Sequence, residues 1–143
     1  MELILQQGLP HQQKAIDAVC AALEGVTIAP PVQFYENPQI DLRDRRLLAN
    51  LRDLQKAVPA EYRSSIPIGT CLNLDIKMET GTGKTYVYTK TIYELHKRYG
   101  INKFIIAVPS LAIKAGTAQF IQDEYARRHF TDSCGYGTEV ELG

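Results

Sequence analysis

Apolar residues recur at helical spacing along several stretches of the chain. Over 10–24, "PHQQKAIDAVCAALE", Ile16, Val19, Cys20 and Leu23 share one side of a 3.6-residue period and Gly25 follows as a stop, which predicts an amphipathic helix. A second helix is predicted over about 41–58. There Leu47, Leu48, Leu51, Leu54 and Val58 make one stripe, and Asp44, Arg45, Arg52, Asp53 and Lys56 fill a solvated face. A third is predicted over 84–99, with Tyr88, Thr91 or Ile92, Leu95 and Tyr99 as its inner face and Gly100 just past its end. A fourth covers much of 111–130, with Gly116 and Thr117 placed to interrupt its start.

Other segments follow a different rhythm. "LNLDIKM" alternates, with polar Asn73, Asp75 and Lys77 between apolar positions, so 71–77 reads as a strand with one polar-facing side. "FIIAV", within 103–109, is continuously apolar, as suits a strand covered on both faces. Strand, helix, strand in this order predicts a βαβ unit with a right-handed parallel crossover. The paired prolines of "VTIAPPVQFYENP" disfavour helix and suggest an extended connection, and "YGTEVELG" at 136–143 is a candidate start of a further strand.

The chain has 143 residues, 45% hydrophobic and 22% charged, which is the composition of one ordinary globular domain. Sixteen basic residues balance sixteen acidic ones, so there is no global electrostatic footprint for nucleic acid, although local patches remain open. Cys20, Cys71 and Cys134 have no metal-like spacing and fit reduced thiols of the cytosol. No run approaches a membrane span, and "MELILQQGLP" lacks the basic start and apolar core of a signal peptide. The expectation is a cytoplasmic chain without a membrane partner.

Candidate chemistry lies between the two predicted strands. A phosphate-binding loop needs a strand that delivers a tight turn, glycines that let backbone N–H groups approach oxygens, and a helix N-terminus behind them. "TGTGKT", Thr80, Gly81, Thr82, Gly83, Lys84 and Thr85, has this order. Backbone N–H groups would wrap the β-phosphate, Lys84 would reach the β- and γ-phosphates, and the Thr85 hydroxyl would ligate Mg²⁺. The strict GxxxxGK[ST] pattern fails, because Met78 stands where its first glycine belongs. The competing reading is a glycine-rich turn carrying an exposed lysine. Glu79, at the mouth of the loop, has no assigned role.

Upstream, Gln12 and Gln13 enter the first helix. A glutamine amide can pair with both N6 and N7 of adenine, which would select ATP over GTP; the alternative is a glutamine on a solvated face. Downstream, "VPSLAIKAGT" leaves the C-terminal end of the second strand, where ligands gather in open α/β sheets. Ser110, Lys114 and Thr117 there are candidates to hold nucleic-acid phosphates, and the alternative is a plain helix start capped by Ser110. His11, His96 and His129 are scattered and read as surface residues. "DEYA" at 123–126 lacks the preceding apolar strand that an acidic ATPase box requires.

Together, "LNLDIKMETGTGKTYVYTKTIYELHKRYGINKFIIAVPSLAIKAGT", "FIQDEYARRHF" and the upstream "PHQQKAI" resemble the N-terminal part of the restriction (Res) subunit of type III restriction-modification enzymes, in helicase superfamily 2. METGTGKT is how that family writes its phosphate loop, so the resemblance accounts for Met78. It implies an α/β fold, a P-loop NTPase (RecA-like) parallel sheet flanked by helices, with 1–143 as part of an incomplete motor domain and 26–70 as a family-specific insert containing one helix. It also implies that Gln12 contacts adenine, that Gly81, Gly83, Lys84 and Thr85 bind ATP and Mg²⁺, and that the segment from Pro109 to Thr117 contacts double-stranded DNA. A methyltransferase (modification) subunit would be the partner.

The same resemblance puts the acidic ATPase box, the arginine finger and the nuclease residues outside 1–143. The expectation is therefore ATP-dependent DNA cleavage by the full-length protein and no turnover by this chain alone. Another superfamily 2 helicase or remodeller, and a non-catalytic nucleotide-binding or protein-docking module, remain open alternatives.

Overall fold

The computed structural model describes residues 9–66 and 69–143, so the expectation about the first residues of the chain lies largely outside the described part. Helix α1 spans Pro10–Ala22, with Pro10 at the start, where its missing N–H is harmless. A two-residue ladder follows, β1 (Ile28–Ala29) and β2 (Gln39–Ile40), paired antiparallel with Ile28 opposite Ile40. Helix α2 is Arg45–Lys56. Its start is fixed by Asp44, whose carboxylate accepts from Arg46 N–H at 2.8 Å and from Thr27 N–H at 2.7 Å, so one side chain caps the helix and ties it to the chain entering β1.

Helix α3 is Lys84–Tyr99, with the predicted bounds, and ends at Gly100 in the left-handed conformation that closes a helix. Helix α4, Leu111–Gln122, runs uninterrupted through Gly116 and Thr117, against expectation: its N-cap Ser110 accepts from Ile113 N–H, and a single glycine inside the helix is tolerated. The predicted long helix breaks instead at Asp123. That residue leaves helical geometry and caps a new short helix α5, Glu124–Arg128, by accepting from Ala126 N–H at 3.0 Å. A π-helical turn at His129–Ser133 completes the helical part. No strand forms over 136–143.

The parallel sheet is corrected. Among the described residues the ladder between β1 and β2 is the whole sheet, and 71–77 and 103–109 form no ladder with each other or with another segment. Strand-forming composition makes a segment suitable for a sheet but does not supply the neighbouring backbone that a ladder needs. One side of these segments is accordingly left uncovered: Ile105 is 97% exposed, and Leu74 and Ile76 are exposed too, while Leu72, Phe104, Ile106 and Val108 are half-buried.

The core is distributed over the sides of α3. Ile16 and Cys20 of α1 meet Val87, with Met78 packed against them. Leu23, Val26 and Leu47 make a second cluster, joined by Leu95 and Tyr99. On the other side, Tyr86 and Tyr93 stack with Phe130, and Tyr136 stacks on Tyr93 at 5.0 Å between centroids. The predicted inner face of α3 is thus only part of what is covered. Tyr86, Val87, Thr89 and Tyr93 are the buried positions, because α3 is packed by α1 on one side and by the C-terminal segment on another. His129 is also buried rather than on the surface: its Nε2 lies 2.9 Å from the Tyr86 hydroxyl.

Candidate nucleotide-binding site

The glycine-rich turn sits at the junction of these packings. Gly81 and Gly83 both have positive φ, +79° and +83°, a region that side chains bearing a Cβ avoid, so these two glycines are required by the backbone itself. Gly83 is required a second time: a Cβ there would run into the Gln12 amide nitrogen, whereas one at Gly81 would meet open space. The turn is closed internally by the Thr82 hydroxyl, which donates to Glu79 O at 2.6 Å. Glu79, without a role in the sequence reading, thus contributes its carbonyl.

Helix α3 starts directly from this turn. Its first main-chain bond is Val87 N–H to Gly83 O at 3.1 Å, so the donors before Val87 are the orphan N–H groups of a helix N-terminus. Lys84 is exposed, Thr85 half-buried, and Thr80 exposed at the outer edge of the turn. Lys84, Thr85 and the orphan donors therefore share the end of the helix where the macrodipole is positive.

Gln12 comes to this turn from 70 positions away. Its Nε2 donates to Thr82 O at 3.2 Å, and His11 Nε2 lies 3.1 Å from the same carbonyl. Gln12 is 2% exposed, and its Oε1 is buried with no hydrogen-bond partner among the described residues. The neighbouring Gln13 accepts from the Lys90 ammonium at 3.2 Å, a further tie between α1 and α3. The sequence singled out Gln12 but not His11. The adjacency of His11 to a glutamine at a helix entry was the available signal, and nothing in one sequence says that both side chains reach one carbonyl.

The other predicted residues are divided. Pro109, Ser110 and Lys114 lie exposed at the start of α4. Thr117 is on the covered side, its hydroxyl 2.8 Å from the Tyr88 hydroxyl, so it joins α4 to α3. Met78, where the strict pattern wants glycine, is half-buried against Ile16, Cys20 and Val87, a position in which an apolar side chain fills space. Cys20, Cys71 and Cys134 are all free, and no cluster of metal-ligating side chains occurs among the described residues. No described helix is long and apolar enough to cross a membrane.

A tight glycine turn delivering a helix, with a glutamine from the first helix bonded to its back, restricts the class of protein considerably. The chain belongs to the family of type III restriction enzyme Res subunits: the family's model, described as "Type III restriction enzyme, res subunit", matches residues 6–135, and this domain implies a helicase-type P-loop fold. The chain is 38% identical over 140 residues to the EcoPI Res subunit of Escherichia phage P1, covering 95% of this chain and 14% of that protein. It is 39% identical over 132 residues to the EcoP15I Res subunit of Escherichia coli, covering 90% and 14%. To the StyLTI Res subunit of Salmonella typhimurium it is 41% identical over 129 residues, covering 90% and 11%. The chain thus spans 11% to 14% of the length of these relatives.

Proposed function

We propose that this chain is the ATP-binding part of the DNA-translocating and cleaving subunit of a type III restriction endonuclease, whose full-length form cleaves DNA at the expense of ATP. The observation that carries the ATP reading is the pair of left-handed glycines opening onto the start of α3. Orphan N–H groups and the positive end of a helix dipole favour a polyanion, and the open space beside Gly81 leaves room for one. These residues fit a triphosphate with its Mg²⁺. Gly81, Thr82, Gly83, Lys84 and Thr85 would line the β-phosphate with main-chain donors, with Thr80 at the edge of the loop; the Lys84 side chain would neutralise the β- and γ-phosphates, and the Thr85 hydroxyl would hold the metal. Bound Mg²⁺·ATP supplies the hydrolysable phosphoanhydride.

Gln12 is proposed as the adenine contact. Its unpartnered Oε1 is an acceptor suited to the N6 amino group, and its second Nε2 hydrogen is a donor suited to N7. Pro109, Ser110, Lys114 and Thr117 are proposed as the segment facing double-stranded DNA, with Thr117 holding α4 on Tyr88 while Ser110 and Lys114 meet phosphates. In this reading 26–70 is an insert of the motor domain, the partner is a methyltransferase (modification) subunit, and the enzyme works in the cytoplasm. The chain by itself binds nucleotide without turning it over.

Titration calorimetry with Mg²⁺·ATP tests the reading. Wild type should bind and Lys84→Ala should not, while both keep the same far-ultraviolet circular dichroism. Equal binding by the two would overturn the assignment of the loop.

A further inference from the structure

Helix α2 carries a second charged surface, remote in sequence from the glycine turn. Arg45, Ala49, Arg52 and Lys56 follow one another at intervals of four, three and four residues, which puts them on one side of the helix. Arg45, Ala49, Arg52 and Lys56 are all exposed, and no bulky apolar side chain interrupts them. Lys56 has a carboxylate neighbour, Asp53, at 2.9 Å, but both side chains are more than two-thirds solvated, where such a pair is worth little. Arg45 and Arg52 have no carboxylate within ion-pair distance among the described residues, in contrast to Arg98, Arg127 and Arg128, which are all paired. The opposite side of the helix is spent on packing, with Leu47 buried beside Leu23 and Val26.

We propose that this stripe on α2 is a docking surface for the phosphate backbone of double-stranded DNA, separate from the segment at the start of α4. It rests on the reading that the chain works on DNA. At 1.5 Å per residue the stripe is about 16 Å long, enough for its three cations to meet neighbouring phosphates along one strand. The guanidinium fork matches phosphate geometry, and arginine gives up its water more readily than lysine. A protein partner would be expected to meet aromatic or other apolar anchors at the centre of its interface, and here the centre is Ala49. The contacts carry no base information, so the surface holds DNA of any sequence.

The test is fluorescence anisotropy of a labelled 30-base-pair duplex with the nucleotide-free chain over a range of salt concentrations. Each phosphate contact contributes about 0.9 to the slope of log affinity against log salt, so Arg45→Gln/Arg52→Gln should flatten the slope by about 1.8. Arg45→Lys/Arg52→Lys should keep most of it, and Lys14→Gln, on an exposed part of α1, should leave it unchanged. Ala49→Glu adds one carboxylate at helical pairing distance from both arginines at little cost to the helix, and should lower affinity in a folded protein.

An unchanged slope in both the double Gln variant and Ala49→Glu would overturn the proposal. So would equal flattening by Lys14→Gln, which would reduce the effect to net charge, or binding of poly-glutamate but not of duplex, which would assign the stripe to an acidic protein. A wild type that does not bind the duplex at all would overturn the DNA reading and the stripe with it, whereas binding by wild type with an unchanged slope in the variants overturns the stripe alone; because no nucleotide is present, failure of the ATP reading leaves either result standing.

Discussion

Gln12 and Thr82 are joined by one hydrogen bond, from the Gln12 amide to the Thr82 carbonyl at 3.2 Å, across 70 positions of sequence. The bond lays the first helix on the back of the glycine turn and couples the residue proposed to read adenine to the loop proposed to hold phosphate. Because His11 shares the same carbonyl, either side chain alone keeps that acceptor satisfied.

This redundancy predicts non-additive behaviour. Gln12→Leu removes a buried amide whose Oε1 has no partner, and His11→Ala removes an exposed ring, so each single change should alter stability only slightly. Together they leave the carbonyl of half-buried Thr82 to water alone, so the double variant should lose about 0.5–1.5 kcal/mol, the net worth of one hydrogen bond, beyond the sum of the singles. Urea unfolding of the wild type, both single variants and the double variant would read the coupling, and simple additivity would show that the shared acceptor has no energetic consequence.

The two turn glycines should respond differently to the same substitution. Both have positive φ, so alanine at either carries the left-handed penalty of about 1–2 kcal/mol. At Gly83 the new methyl also displaces the Gln12 amide, whereas at Gly81 it enters open space. Gly83→Ala should therefore be the more destabilising in thermal melts and should perturb α1 as well, visible as faster amide hydrogen exchange there.

Phe130 holds the C-terminal segment against α3. It is 2% exposed, stacked against Tyr93 at 4.9 Å and Tyr86 at 5.5 Å between ring centroids. Phe130→Ala should cost about 3–5 kcal/mol through lost burial and a residual cavity, and Phe130→Leu clearly less. Similar values for the two in urea unfolding would mean that the aromatic stack is not what fills this space.

Stability should decline on acidification. Burial, with the nearby Lys90 charge, holds His129 below its ordinary 6.5, so the unfolded chain takes up a proton there before the folded one does. Burial pushes the Glu94 carboxyl up, but hydrogen bonds from Tyr136 and Arg98 outweigh it and leave Glu94 below its ordinary 4.5. Both groups contribute stability that is complete above their unfolded values and is lost as pH falls toward the folded ones. The melting temperature should begin to fall below about pH 6.5, and His129→Gln, which retains an acceptor for Tyr86, should remove the first part of that decline. A profile for His129→Gln that parallels wild type down to pH 5 would rule His129 out as its source.

Much of the local structure was legible in the sequence alone. Helix α3 has its predicted bounds because Gly83 and Gly100 punctuate both ends and no proline intervenes. Helices α1 and α2 were visible in their apolar period; α1 ends at Ala22, with Leu23 as its C-cap, before the predicted Glu24, and α2 is shorter than its pattern because Asp44 caps later than the pattern begins and Val58 falls beyond the last turn. The glycine turn was legible because both of its constraints, positive φ and a following helix, are local.

What depends on partners far along the chain was not legible. An apolar period shows that a face is covered but not by what, so the clamping of α3 between α1 and the Phe130 region shifted its buried positions from those expected. "FIIAV" has the composition of a central strand, yet a ladder is a property of two backbones, and no second one is hydrogen-bonded to it as a strand in the described structure. The sequence by itself determined the turn, the helices and the residue types around the candidate site. Only the tertiary structure decided that Gln12 and His11 close on Thr82, that Met78 fills the space beside Ile16, and that Arg45 and Arg52 stand without a counter-charge. Those outcomes are set by which surfaces meet, and non-local packing is not written in any single stretch of chain.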